Sequence, residues 1–116
     1  MSVPVHRSLA RHYSWGEVCD GWHLLEGSDL SVIEERVPPG GGERRHRHRV
    51  ARQFFYVLAG EARIEVEGVV HRLRPGTGLH VAPGQAHELG NAGSEDLLFL
   101  VVSAPRSHGD REDAPA

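Results

Sequence analysis

The chain has 116 residues, a formal net charge of −3, nine histidines and a single cysteine, Cys19; that length supports one domain with one hydrophobic core. The lone cysteine excludes an internal disulfide and a thiolate zinc cluster and reads as a half-buried small apolar residue. The longest apolar run, Leu97 to Val102, is far too short to span a membrane, and the N-terminal MSVPVHRSLARHYSW has no apolar stretch of the signal-peptide kind, so a cytoplasmic protein without a membrane partner is expected.

No stretch of a dozen residues keeps the apolar spacing of a helix. Short runs rich in β-branched and aromatic residues recur instead between Gly and Pro breaks. In chain order, strands are expected over 22–25 and 29–37, ending at Pro38-Pro39-Gly40-Gly41-Gly42, then over 54–58, 61–67, 69–73, 79–82 and 96–103. In 61–67, Ala62, Ile64 and Val66 share one face, and Arg63, Glu65 and Glu67 share the other. Phe54, Phe55 and Tyr56 read as mostly core. Short antiparallel strands with frequent turns make a sandwich or barrel. The domain is expected over 1–104. The remainder, 105–116 (PRSHGDREDAPA), reads as a polar and partly mobile tail.

Residues 43–53, ERRHRHRVARQ, carry the most chemistry. On a strand, side chains alternate faces. His46 and His48 then point one way, and Arg45, Arg47 and Arg49 the other. The acidic overall balance and Glu61, Glu65 and Glu67 make the arginines one side of a charge-paired sheet surface, and no nucleic-acid partner is expected. Two imidazoles on one strand face, about 7 Å apart at their Cα atoms, suit a transition metal. The pair alone fits a histidine-rich surface strand as well.

Two longer spacings go further. The first runs Gly40, five residues, His46-Arg47-His48, four residues, Gln53, six residues, Gly60. The second runs Gly76, five residues, Ala82-Pro83-Gly84, two residues, His87, three residues, Asn91. Together they resemble the two motifs of the cupin superfamily, in its compact single-domain bacterial form. The resemblance covers residues 40–91. It implies an all-β cupin fold, the double-stranded β-helix or jelly-roll barrel, and a homodimer formed through an outer sheet face. It also implies that His46, His48 and His87 bind one divalent metal inside the barrel. Gly60 and Gly76 would permit tight turns, Gly84 a bend before His87, and Asn91 would fix a loop by hydrogen bonds.

The chain departs from the family pattern at Ala82, where a proline is usual, and at Gln53, where the family usually has a glutamate ligand. A neutral ligand set leaves the metal nearly its full charge. Affinity should drop, and Lewis acidity should rise. Gln53 is read as a direct or near-direct contact of the metal. Fe, Mn, Ni, Co, Cu and Zn all suit such a site. Some thiol dioxygenases of the superfamily also use three histidines.

Glu34 and Glu35 are neighbours on a strand, so one of them points inward and could serve as a general base or as a partner of an imidazole; a solvated edge pair is the alternative. With Tyr56 they are the catalytic candidates. Trp15 and Trp22 are placed at the barrel mouth or at an interface. His71 is read as core or interface and His80 as outward-facing. His6, His12 and His108 lie in terminal segments and carry no specific role, while His23 stays open. The expected function is that of a metal-dependent enzyme on a small organic or anionic molecule. Oxygen-dependent (dioxygenase) cleavage comes first and sugar or keto-acid isomerisation second. A non-catalytic ligand-binding or sensor module is the alternative, since fold does not choose between them.

Overall fold

The structure, a computed structural model, describes residues 2–107 and 109–115. After one 3₁₀ turn at Arg7–Leu9, the described chain runs through β1 (Arg11–Trp15), β2 (Cys19–Glu26), β3 (Ser31–Val37), β4 (His46–His48), β5 (Arg52–Ala59), β6 (Ala62–Val66), β7 (Val69–Leu73), β8 (Gly78–Val81), β9 (His87–Asn91), β10 (Leu97–Ala104) and β11 (Arg111–Asp113). They form two antiparallel sheets, ordered β1-β2-β3-β10-β5-β8 and β11-β4-β9-β6-β7. This is the expected jelly roll. Its core includes Val37, Phe55, Val57, Ile64, Leu89, Leu97 and Phe99, with Cys19 also enclosed. Among the described residues no helix is long and apolar enough to cross a membrane.

The period of two decides which residues reach that core. In β6, Ala62, Ile64 and Val66 are buried, as the sequence pattern predicts. In β5, Gln53, Phe55 and Val57 face inward. Phe54 and Tyr56, expected in the core, lie on the outer face, 43% and 38% exposed. Consecutive strand residues cannot share a face, so only Phe55 of that triplet is core. Across the sheet, Val102 pairs with Phe54 and Leu100 with Tyr56. The outer face of β5 and β10 is therefore apolar.

Two strands have no apolar signature. β1 (RHYSW) is held by its ladder to β2. β11 lies in the segment expected as a polar, partly mobile tail, and polar bonds hold its described residues 110–113. The Asp110 carboxylate accepts the backbone N–H groups of Arg49, Val50 and Ala51 at 3.2, 2.9 and 2.9 Å. β11 then pairs with β4, Arg111 opposite His48 and Asp113 opposite His46. The arginine face is charge-paired as expected, with a two-pronged bond from Arg45 to Glu65. At Gly60 the backbone has φ +81°, and a Cβ there would meet Asp96 O at 2.5 Å, so the β5–β6 turn requires glycine.

Candidate metal centre

β4 and β9 are neighbours in the five-stranded sheet, with His46 opposite His87. Alternation turns His46 and His48 inward, and both are buried, as is His87. Ring centroids lie 5.0 Å (46–48), 4.5 Å (46–87) and 6.0 Å (48–87) apart. One ring nitrogen from each lies within 4.8 Å of the other two. Two atoms bound to one ion at about 2.1 Å stand at most about 4.2 Å apart, so small ring movements close the set.

The hydrogen bonds prepare these rings for ligation. His46 Nδ1 lies 2.7 Å from Arg44 O and His87 Nδ1 3.0 Å from Gln85 O. A carbonyl only accepts, so each Nδ1 carries the proton and each Nε2 keeps its lone pair. Gln53 Nε2 donates to Ser103 Oγ at 3.1 Å, which fixes the amide. Three buried polar atoms then have no hydrogen-bond partner: His48 Nδ1, His87 Nε2 and Gln53 Oε1. Such atoms are costly when left alone. Gln53 Oε1 and His87 Nε2 offer lone pairs, and a divalent cation among the three imidazoles would give the His87 nitrogen a partner. The residues present fit a metal.

Burial also holds the imidazoles in their ligating form. It pushes His46 down to about 3 and lowers His48 and His87 as well, each chiefly through desolvation of the charged ring. All three are neutral near pH 7.

The site opens into a cavity of about 540 Å³, whose walls include Tyr13, Trp15, Glu35, Glu43, Gln53, Phe55 and Arg111. This size suits a small organic molecule. Of the catalytic candidates, only Glu35 lines it. Tyr13 Oη donates to Glu35 Oε2 at 2.7 Å. Burial pushes the Glu35 carboxyl up to about 7, against the opposing pull of the Tyr13 bond and the Arg111 charge. Tyr13 is raised in turn, first by burial and then by the Glu35 charge. Glu34 points the other way and pairs with Arg7 at 2.9 Å, and Tyr56 sits on the outer face. The expected inward glutamate is therefore Glu35, while Glu34 and Tyr56 are not brought to the site.

Sequence reasoning gives no role to several cavity residues, among them Tyr13, Glu43 and Arg111. Tyr13 lies in polar β1, Arg111 in the segment that reads as a tail, and Glu43 in the break before β4. The carboxylate three positions before His46 is the one readable signal. Glu43 Oε1 accepts the Leu89 N–H at 3.1 Å, and Oε2 lies 3.9 Å from His46 Nε2. Burial pushes Glu43 up to about 8, and the Glu35 charge adds to that. Trp15 lines the cavity, whereas Trp22 lies beneath the Arg7 guanidinium, 5.1 Å from ring centre to Cζ. His23 also lines the cavity, its ring 4.8 Å from that of Tyr13. His71 is half-buried, His80 is exposed, and His12 Nε2 lies 2.7 Å from Asp20 Oδ1. His108 lies outside the described residues. Asn91 fixes its loop, donating to Val37 O and Glu95 O and accepting from the Gly93 N–H.

A jelly roll with three inward histidines on β4 and β9 defines a cupin-type centre. The family model for the cupin domain matches residues 33–103, and the chain belongs to that family. It is 30% identical over 67 residues to an oxalate-binding protein of Thermotoga maritima, covering 58% of this chain and 55% of that one. It is 32% identical over 100 residues to the dimethylsulfoniopropionate lyase DddW of Ruegeria pomeroyi, covering 81% of this chain and 63% of that one. The chain thus spans 55–63% of the length of these two relatives. A solved structure from Klebsiella pneumoniae subsp. pneumoniae, a protein with a double-stranded β-helix domain, superposes with a TM-score of 0.82 at 27% identity, each chain fully covered.

This geometry makes the ligand set testable. Replacing His87 by Ala removes one of three ligands, and chelator competition should show metal affinity falling by at least about 100-fold. Gln53→Glu adds a charge at the cavity wall and should tighten binding; an unchanged affinity would put residue 53 out of the metal's reach. A second prediction concerns pH. The native Glu35 carboxyl keeps its proton up to about 7, against 4.5 for the free group. Between these values the native state binds more protons than the unfolded chain, so the contribution of Glu35 to stability falls as pH rises through that window. The depressed histidines act with the opposite sign. Their contribution is lost as pH falls below their unperturbed value of 6.5. The metal-free parent should therefore lose roughly 1–3 kcal/mol relative to Glu35→Gln between pH 5 and pH 8, read by denaturant unfolding at each pH. A constant difference would mean that Glu35 titrates normally.

Proposed function

We propose that this chain is a metal-dependent enzyme that transfers a proton on a small organic carboxylate bound beside His46, His48, His87 and Gln53. The observation that carries this reading is the Tyr13–Glu35 pair on the cavity wall. A carboxyl group near 7 both takes and returns a proton at neutral pH, which is what a general acid–base needs. The bond from Tyr13 holds Glu35 in one position. A bound divalent metal would act as a Lewis acid on a substrate oxygen. Arg111 lines the same cavity, and the one hydrogen bond its guanidinium makes among the described residues is a long contact with Arg44 O at 3.5 Å. Its guanidinium is available to a substrate carboxylate. Oxalate and dimethylsulfoniopropionate, named in the two relatives, both carry that group. Isomerisation and elimination both belong to this class of proton-transfer chemistry.

Oxygen-dependent cleavage is the second reading. The neutral ligand set supports it, since three imidazoles and an amide leave coordination positions for other molecules. One experiment separates the readings. Protein loaded with Fe(II), Mn(II) or Zn(II) is offered a panel of hydroxy and keto acids in deuterated water, with and without oxygen. Proton transfer predicts deuterium incorporation without oxygen, reduced about 100-fold or more in Glu35→Gln. Oxygen uptake without exchange would favour the second reading, and ligand affinity with neither would mark a binding module. The assembly proposed with this function is a homodimer through the apolar outer face that carries Phe54, Tyr56 and Leu58. In sedimentation equilibrium the parent should run as a dimer and Phe54→Asp as a monomer; a monomeric parent at micromolar concentration removes the dimer.

A further inference from the structure

Glu43 precedes the histidine strand, in the five-residue gap of the first motif between Gly40 and His46. Its two oxygens are placed differently. Oε1 accepts the Leu89 N–H at 3.1 Å, which ties the carboxylate to β9. Oε2 lies 3.9 Å from His46 Nε2, the nitrogen left with its lone pair by the Nδ1 bond to Arg44 O. Among the described residues, the one ion-pair contact of Glu43 is with this imidazole. A half-buried carboxylate without a full cation partner loses part of its hydration with little in return. Beside it stand three neutral imidazoles and an amide, which bring no negative charge to a dication. Each deficit is what the other lacks.

We propose that Glu43 supplies the anionic ligand of the metal centre through Oε2, in place of the carboxylate absent at Gln53. The inference rests on the metal reading of His46, His48 and His87 and adds a fourth residue to it. Two donors bound to one ion at about 2.1 Å lie about 3 Å apart when adjacent in an octahedron and up to about 4.2 Å apart when opposite. The 3.9 Å between Glu43 Oε2 and His46 Nε2 falls inside that range; the carboxylate stands outside the 4.8 Å group of the three histidines, so a side-chain rotation toward His48 and His87 would complete the set. The Leu89 N–H holds the other oxygen, so the carboxylate binds through one atom. The centre then carries one net positive charge rather than two. The charge enters from the segment before β4, and β5 keeps a neutral face toward the substrate.

The test compares the parent with Glu43→Gln, Gln53→Glu and the double variant. Zn(II) affinity is read by chelator competition, Co(II) absorption reports the ligand set, and melting of the metal-free proteins reports the fold. Glu43→Gln keeps an acceptor for the Leu89 N–H, so its metal-free form should melt at or above the parent. Its Zn(II) affinity should be at least about ten-fold weaker, with an altered Co(II) spectrum. Adding Gln53→Glu to it should recover most of the lost affinity, because the charge returns from the other side. Should Glu43→Gln fail to fold, Glu43→Asp keeps the charge but shortens the reach, and weaker Zn(II) binding by a folded protein supports the assignment equally. A Glu43→Gln protein with parent affinity and parent spectrum overturns the role of Glu43 alone. A parent that binds no metal removes the metal centre and this inference together.

Discussion

The site depends on one pairing: His46 of β4 stands directly opposite His87 of β9. Residues far apart in sequence acquire a common direction because facing residues in a ladder share a side of the sheet. His48 joins them through the period of two. Once inside, the rings must stay neutral, because protonating them would bury charge among like partners. Backbone carbonyls then fix the tautomers of His46 and His87. Among the described residues the His87 Nε2 lone pair has no hydrogen-bond partner, and the three imidazoles together could hold a cation.

The cavity around this centre is not neutral. Glu35 and Glu43 both line it, and the charge on Glu35 makes Glu43 harder to ionise. Arg111 offsets both. A carboxylate that retains its proton near neutral pH is useful only if it does not drift, and Tyr13 supplies that constraint for Glu35. The arrangement divides labour between the two sheets. The five-stranded sheet and the segment before it bring the histidines and Glu43. The six-stranded sheet brings Tyr13, Glu35 and Gln53.

What is legible in the sequence follows from periodicity and fixed spacing. Alternation in 43–49 alone puts His46 and His48 on one face, and the resemblance to the two cupin motifs brings in Gln53 and His87. The same alternation, applied to Phe54-Phe55-Tyr56, sends Phe54 and Tyr56 outward, although their hydrophobicity suggests core. β1 and β11 are invisible for a different reason. Backbone ladders hold both, Asp110 adds bonds to three successive N–H groups near β11, and in β1 the packing of Trp15 against the core is too short a signal to read as an apolar pattern. Tyr13 and Arg111 escape notice because they ride on those strands. Glu43 does so because it sits at the end of a Gly-rich break, where no strand period applies.

The strands without a hydrophobic signature are also the ones that shape the cavity. Arg111 pairs across the ladder with His48, so an arginine from the C-terminal segment reaches the cavity one strand away from a candidate metal ligand. β11 is an edge strand, bonded to β4 alone within its sheet. Its contacts are polar and peripheral, and changing its side chains leaves most of the core from Val37 to Phe99 intact. β1 is likewise an edge, at the far end of the other sheet. Substitutions there alter charge and shape beside the cavity at little cost to the barrel, whereas β4 and β9 are constrained by the histidine pairing. A fixed ligand set and an adjustable specificity can therefore coexist in one small jelly roll, because they are carried by strands held in place by different forces.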